Sequence, residues 1–371
     1  LFSVGLAIPV AIGLHHRRFL GRMLLIKLLG MTLVLPVLVG VFGLVAIYGN
    51  SGVIAETLAW FSYSLPLSLY GLSGILLAHV FFNLPYASRL FLHALETIPQ
   101  EQHKLAAHLG MSVWQKFVRV EWPRLRQQLP HTAGLVFMLC FTSFTTVMAL
   151  GGGPKSTTIE LAIYQAIKFD FDLQSGALLA LWQITLCSLI WLVVMRYSKS
   201  LPIGNGSPSY PHLYRDSRRA CVMDYTAIVL LALLVLPPLS MVLYSGLNSQ
   251  FWSVLSDKKF WSALSASLQV ASVASGMSLL AGISILSTSR AWRMMNQHRR
   301  ADGIELIGSL ILVTPSLVIS TGLFLLLRLF TDAFSYAYWV IVTVNAMMAL
   351  PYVIKTLAQP MLHLSQRYQL L

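Results

Sequence analysis

"HLGMSVWQKFVRVEWP", residues His108 to Pro123, is basic, helix-forming and punctuated, in a chain whose remaining length is mostly apolar. Leu105, Leu109, Val113, Phe117 and Val120 recur at intervals of three and four residues and predict one apolar helical stripe. Lys104, His108, Gln115, Lys116 and Arg119 fall off it. Gly110 suits the left-handed conformation that ends a helix, and Ser112 with Gln115 three residues later has the capping-box spacing that starts another, closed before Pro123. The stretch reads as helix, tight turn, helix. A helix lying on the membrane surface would need only the stripe. The sharp turn makes a shape, and a shape favours docking to a cytoplasmic partner.

What surrounds the stretch fixes the class. The 371 residues are 56% hydrophobic and only 11% charged, and the mean hydropathy is +0.71, whereas charged residues approach a quarter of a soluble domain. Crossing about 30 Å of hydrocarbon takes roughly 20 apolar residues. Eight such runs occur, at 24–48, 66–83, 130–150, 176–197, 225–247, 263–289, 304–328 and 338–358, and residues 1–14 read as the end of a ninth. The fold expected is all-α, a polytopic helical membrane protein in the lipid bilayer. The net charge of +13 would suggest nucleic acid for a soluble protein, but here its placement decides. Alternating from the first piece puts 15–23, 86–129, 196–224, 290–303 and 355–371 on one side, and these hold 20 of the 26 Lys and Arg. By the positive-inside rule that side is cytoplasmic. No nucleic-acid partner is expected.

Residues 198–224, rich in Pro, Ser, Gly and charge, read as a cytoplasmic linker between a first domain, 1–197, and a second, 225–371. "NLPYASRLFLHALETIPQEQHKL" at 83–105 repeats in "ALPYVIKTLAQPMLHLSQRYQLL" at 349–371. Pro36, Val39, Gly43 and Leu44 keep the spacing of Pro315, Val318, Gly322 and Leu323. Both copies enter from the same side, so the expectation is two homologous parallel halves about an axis along the membrane normal. The first residue is Leu and a signal peptide is neither seen nor excluded, so the chain reads as a fragment, incomplete at both ends. Leu371 falls on Leu105, so the repeat predicts a parent sequence with a Gly about five residues further on and a Pro about thirteen beyond that.

"IPQEQHKLAAHLGMSVWQKFVRVEWPRL", Ile98 to Leu125, resembles the cytoplasmic EAA loop of permease subunits of binding-protein-dependent ABC importers. Pro99, Glu101, Ala106, Leu109, Gly110, Trp114, Phe117, Val120 and Pro123 match its pattern. The Glu-Ala-Ala that names it falls on Lys104, Leu105 and Ala106, so only the last Ala is kept, and an ion pair to the ATPase through that Glu is not expected. The resemblance implies a fused double permease with two halves of six spans each, in the bacterial inner membrane. It implies a coupling loop of Glu101, Lys104, Ala106, Leu109, Gly110, Trp114, Phe117 and Pro123. The implied partners are two copies of a cytoplasmic ATP-binding subunit, which alone uses ATP and Mg²⁺, and a periplasmic substrate-binding protein. "GGGPKSTTIELAIYQAIKFDFD", Gly151 to Asp172, resembles the outer loop after the fifth span in fused permeases for thiamine and for iron(III), with wording closer to the thiamine group.

Other chemistries find little support in the residues. The glycine-rich run lacks the Gly-x4-Gly-Lys-Ser/Thr of a nucleotide loop and has no preceding strand. The thirteen acids fall in loops or at span edges, which disfavours an ion-coupled secondary transporter or an intramembrane acid–base enzyme. No catalytic residue and no cofactor of the chain's own is expected. Cys140, Cys187 and Cys221 imply no disulfide framework. His15, His16, His103 and His108 lack zinc spacing and read as solvated or interfacial, so no metal site is expected. Polar residues inside spans mark a substrate path: His79, aligned with Asn345 across the repeat, and the hydroxyls Thr142, Ser143, Thr145 and Thr146. Ser and Thr also satisfy backbone carbonyls within membrane helices.

Overall fold

A computed structural model describes residues 1–63, 68–151, 153, 156–197, 217–248, 250–309, 311, 314, 316–328 and 336–368. Among them the only regular structure is helix, with no strand, and helices are one of the two ways a chain in lipid can pair its own backbone. The helices are α1 Phe2–His16, α2 Arg22–Val34, α3 Val37–Tyr48, α4 Val53–Ala59, α5 Leu72–Glu96, α6 Gln100–His108, α7 Val113–Lys116, α8 Trp122–Phe141 and α9 Phe144–Leu150. There follow α10 Ile159–Lys168, α11 Leu173–Tyr197, α12 Arg218–Gly246, α13 Phe251–Ser256, α14 Lys258–Met294, α15 His298–Ser309, α16 Ser316–Arg328 and α17 Ala337–Tyr368.

Two compact units form, one of Leu1–Ala162 with Leu189–Asn248, the other of Ile163–Ser188 with Ser249–Leu371. In the first, α1 is central and packs against α5, α8 and α12. Its inward face is small, with Ala7 and Ala11 fully buried, which allows close helix approach without a solvent-driven core. At Gly13 a Cβ would meet the Asp224 carbonyl oxygen at 2.9 Å, so only glycine lets α12 come this close to the cytoplasmic end of α1. In the second unit α14 packs along α17 through Ala274, Val342 and Ala346. Arg293 of α14 holds Asp302 at 2.7 Å and Glu305 at 3.2 Å on α15, and Glu305 also accepts from Ser289.

Six helices are long and apolar enough to cross a membrane among the described residues, and a bent pair, Val113–Phe141 with Phe144–Leu150, makes a seventh. The nine expected runs all contain helix, but three are interrupted. The run at 24–48 breaks between α2 and α3, where Pro36 has no N–H to continue the ladder. The run at 130–150 bends by 52° after Phe141. The run at 304–328 is divided between α15, which ends at Ser309, and α16, which begins at Ser316. Helix α5 continues past the expected end at residue 83 to Glu96 because Pro85 sits inside it without ending it. The linker expected at 198–224 lies outside the described residues as far as 216, and from Arg218 it is already helix. Leu84-Pro85-Tyr86 and Leu350-Pro351-Tyr352 both lie inside long helices, α5 and α17, and α3 and α16 both start directly after the matched prolines. Gly152, Pro154, Lys155 and Pro315 lie outside the described residues.

Candidate functional site

The stretch after α5 folds as a capped helical hairpin. Gly110 takes φ +60°, and its N–H donates to the Ala107 carbonyl at 3.0 Å while Met111 N–H reaches back to Ala106 at 3.1 Å, which closes α6 in a left-handed turn. Ser112 then opens α7: Gln115 N–H donates to Ser112 Oγ at 3.3 Å and Ser112 N–H donates to Gln115 Oε1 at 2.9 Å. This is the reciprocal pairing that the Ser-x-x-Gln spacing predicts.

The faces of the hairpin correct the single stripe. Phe117 and Val120 do turn inward onto the core, but Leu105 and Leu109 are 59% and 62% exposed, and Trp114 and Val118 join them at 70% and 40%. Beneath, His103, Ala106 and Lys116 are buried. Glu101, Lys104, Gly110 and Pro123 lie on the exposed side, and the Phe117 ring lies tilted against those of Trp114 and Trp122 with centroids at 5.5 and 6.0 Å. The hairpin therefore leaves apolar side chains among the polar ones on its exposed side and takes the charge of Lys116 inward.

The second helix does not close before Pro123. Phe117–Glu121 forms a π-helical turn, with Trp122 N–H bonded to the Phe117 carbonyl, and α8 continues from it. Pro123 offers no N–H to Arg119 and its ring crowds that carbonyl, so the turn widens to an i→i+5 bond. In a regular α-helix residues five apart sit about 140° apart around the axis. The wider turn instead sets Lys116 Nζ 3.1 Å from Glu121 Oε1.

Glu121, 1% exposed, stands at the centre of a cluster that sequence reasoning did not find. His16 Nε2 lies 2.7 Å from the same Glu121 oxygen and His16 Nδ1 lies 3.5 Å from Asp224 Oδ2, to which Arg17 Nε donates at 2.8 Å. The rings of His15 and His103 pack at 5.8 Å below. The expectation that these histidines are solvated or interfacial is corrected for three of them: His15 and His103 are buried and His16 is ion-paired, while His108 is exposed. Burial works against a charge on His16, beyond the apolar run of residues 1–14, but the hydrogen bonds to Asp224 and Glu121 outweigh it and raise the ring to about 9. Burial and then Lys116 push His103 down to about 4. One signal was available: Glu121 is the sole acid between Glu101 and Glu160, set in a basic helix.

The path candidates divide between the two units. In the first, the hydroxyls sit at the 52° break between α8 and α9. Thr142 Oγ1 donates to the Met138 carbonyl at 2.8 Å, and Ser143 Oγ donates to Cys140 at 2.9 Å while standing 3.2 Å from His79 Nε2 on α5. Thr145 is half-buried and Thr146 buried. In the second, Asn345 is exposed, donates to the Ile341 carbonyl at 2.8 Å and lines an open groove of about 550 Å³ between α14 and α17. Among the described residues no three of His, Cys, Asp and Glu are grouped to hold a metal ion.

The chain's residues 3–199 match the family of binding-protein-dependent transport system inner membrane components. Over all 371 residues it is 45% identical to the thiamine transport system permease protein ThiP of Escherichia coli K12 and 44% identical to that of Salmonella typhimurium, spanning 69% of each. A ThiP of Brucella abortus is 41% identical over 359 residues, 96% of this chain and 66% of that protein.

Proposed function

Because the chain belongs to the family of binding-protein-dependent transport system inner membrane components, a multi-pass component that leaves ATP hydrolysis to a separate subunit and receives substrate from a binding protein, we propose that it is the permease of a thiamine importer. Thiamine and its phosphates arrive on a periplasmic binding protein, and two copies of a cytoplasmic ATPase drive the transfer. ATP and Mg²⁺ are held by those copies, and this chain needs no cofactor. The substrate rests on thiamine permeases that align with the chain, three of them at 41 to 45% identity.

The observation that carries the coupling role is the outward apolar face of the hairpin, Leu105, Leu109, Trp114 and Val118, on a segment that the charge distribution places in the cytoplasm. Covering each leucine would contribute roughly 1–3 kcal/mol, enough for a few residues to anchor a partner. For the path, a helix broken where it carries Thr142, Ser143, Thr145 and Thr146, with His79 against the break, fits the use of discontinuous spans to hold substrate. Asn345 would serve the second half. The experiment is reconstitution of the transporter with its binding protein and ATPase and measurement of labelled thiamine uptake. Leu109→Asp should lower ATPase capture by about tenfold or more. Unchanged capture overturns the docking face, and uptake of iron(III) in place of thiamine overturns the substrate.

A further inference from the structure

The docking face explains how a partner would hold the hairpin, but not how the hairpin's movement would reach the spans. A hairpin joined to the bundle only by α5 and α8 could swing on its two connections. The cluster beneath it removes that freedom. Lys116 comes from α7, Glu121 from the π turn, His16 and Arg17 from the end of α1, and Asp224 from the first turns of α12. Glu121 and Asp224 are each joined to two of the others at 2.7 to 3.5 Å. Gly13 keeps the backbones of α1 and α12 in contact one turn away. A buried carboxylate with two cationic neighbours is expensive to separate, since parting them leaves an uncompensated charge. The cheaper motion is for the hairpin, α1 and α12 to move together.

We propose that Glu121 is a positioning residue for coupling: by holding His16 and Lys116 at once, it fixes the hairpin to α1, and through His16 and Asp224 to α12, so that displacement of the docking face becomes displacement of those helices. It touches neither substrate nor nucleotide. The proposal rests on the importer reading above.

The test uses the full transporter reconstituted with its binding protein and ATPase, and reads thiamine uptake per ATP hydrolysed alongside capture of the ATPase. Glu121→Gln, which keeps the shape and loses the charge, should leave the ATPase bound and hydrolysing while lowering uptake per ATP by about tenfold, the size of effect reported for coupling residues remote from ligands. His16→Gln should do the same, and Lys116→Arg, which keeps the charge, should retain the wild-type ratio. A Glu121→Gln transporter with the wild-type ratio overturns the proposal. If Glu121→Gln does not accumulate in the membrane, His16→Gln gives the reading. If neither accumulates, the cluster serves folding and the positioning role is wrong. A wild-type complex whose ATPase is not stimulated by the binding protein sinks the importer reading itself, and the proposal with it.

Discussion

His16 and His103 belong to one buried cluster and are driven in opposite directions, because the hydrogen bonds of the first to two carboxylates outweigh its burial, whereas burial, and after it Lys116, lowers the second. The sign of each follows from linkage. His16 has a folded value of about 9 against an ordinary 6.5, so its contribution is complete below 6.5 and is lost as pH rises from there through 9. His103 has a folded value of about 4, so its contribution is complete above 6.5 and is lost as pH falls from there through 4. Thermal unfolding of the purified protein in detergent should therefore be latest near neutrality and several degrees earlier at either extreme. His16→Gln should flatten the alkaline limb; a limb that stays as steep would assign it to other groups. Beyond the isolated Glu121, none of this could be read from the sequence. His16 and Glu121 are 105 residues apart and Arg17 and Asp224 are 207 apart, and an ion pair across such a separation has no local pattern to announce it.

At the scale of the element, the hairpin was legible where its causes are local. A left-handed glycine and a reciprocal cap involve atoms within a few residues, so Gly110, Ser112 and Gln115 state the turn in the sequence itself. A Cβ at Gly110 would meet nothing within 4 Å, so substitution there acts through the backbone alone. An L-residue at φ +60° is strained by about 1–2 kcal/mol, and a β-branched one by more. Gly110→Val should thus insert normally and lose transport, with Gly110→Ala intermediate. Normal uptake by the valine variant, with the ATPase still bound, would remove the turn from the coupling path. The π turn and the outward-turned Leu105 and Leu109 were not legible, because 3.6-residue periodicity assumes a regular helix whose apolar side is its buried side. Pro123 breaks the first assumption and the charged cluster breaks the second. The interruption at Thr142 and Ser143 escaped for a related reason, since hydropathy counts apolar residues without asking whether their backbone is straight.

For the molecule as a whole, composition and charge asymmetry made the all-α membrane class legible, while it is the structure that sets the matched Leu-Pro-Tyr segments inside α5 and α17. Span boundaries were legible less well, because packing lets Pro85 sit within a helix while Pro36 ends one. Sidedness rests on 20 of 26 cationic residues lying on one side. Cys221, in the first turn of α12 and half-buried, should escape a thiol reagent that cannot cross the membrane in intact cells and react once the membrane is opened. Labelling from outside would reverse the topology. The outward leucines of the hairpin also bear on the life of the protein before assembly. On the docking reading proposed above, a newly inserted copy displays Leu105, Leu109 and Trp114 to the cytosol until a partner covers them, and unburied apolar side chains are what chaperones and quality-control proteases sample. Balanced synthesis of the two subunits then becomes a condition of survival, with an orphaned copy marked for removal by the same residues that would have placed it in service.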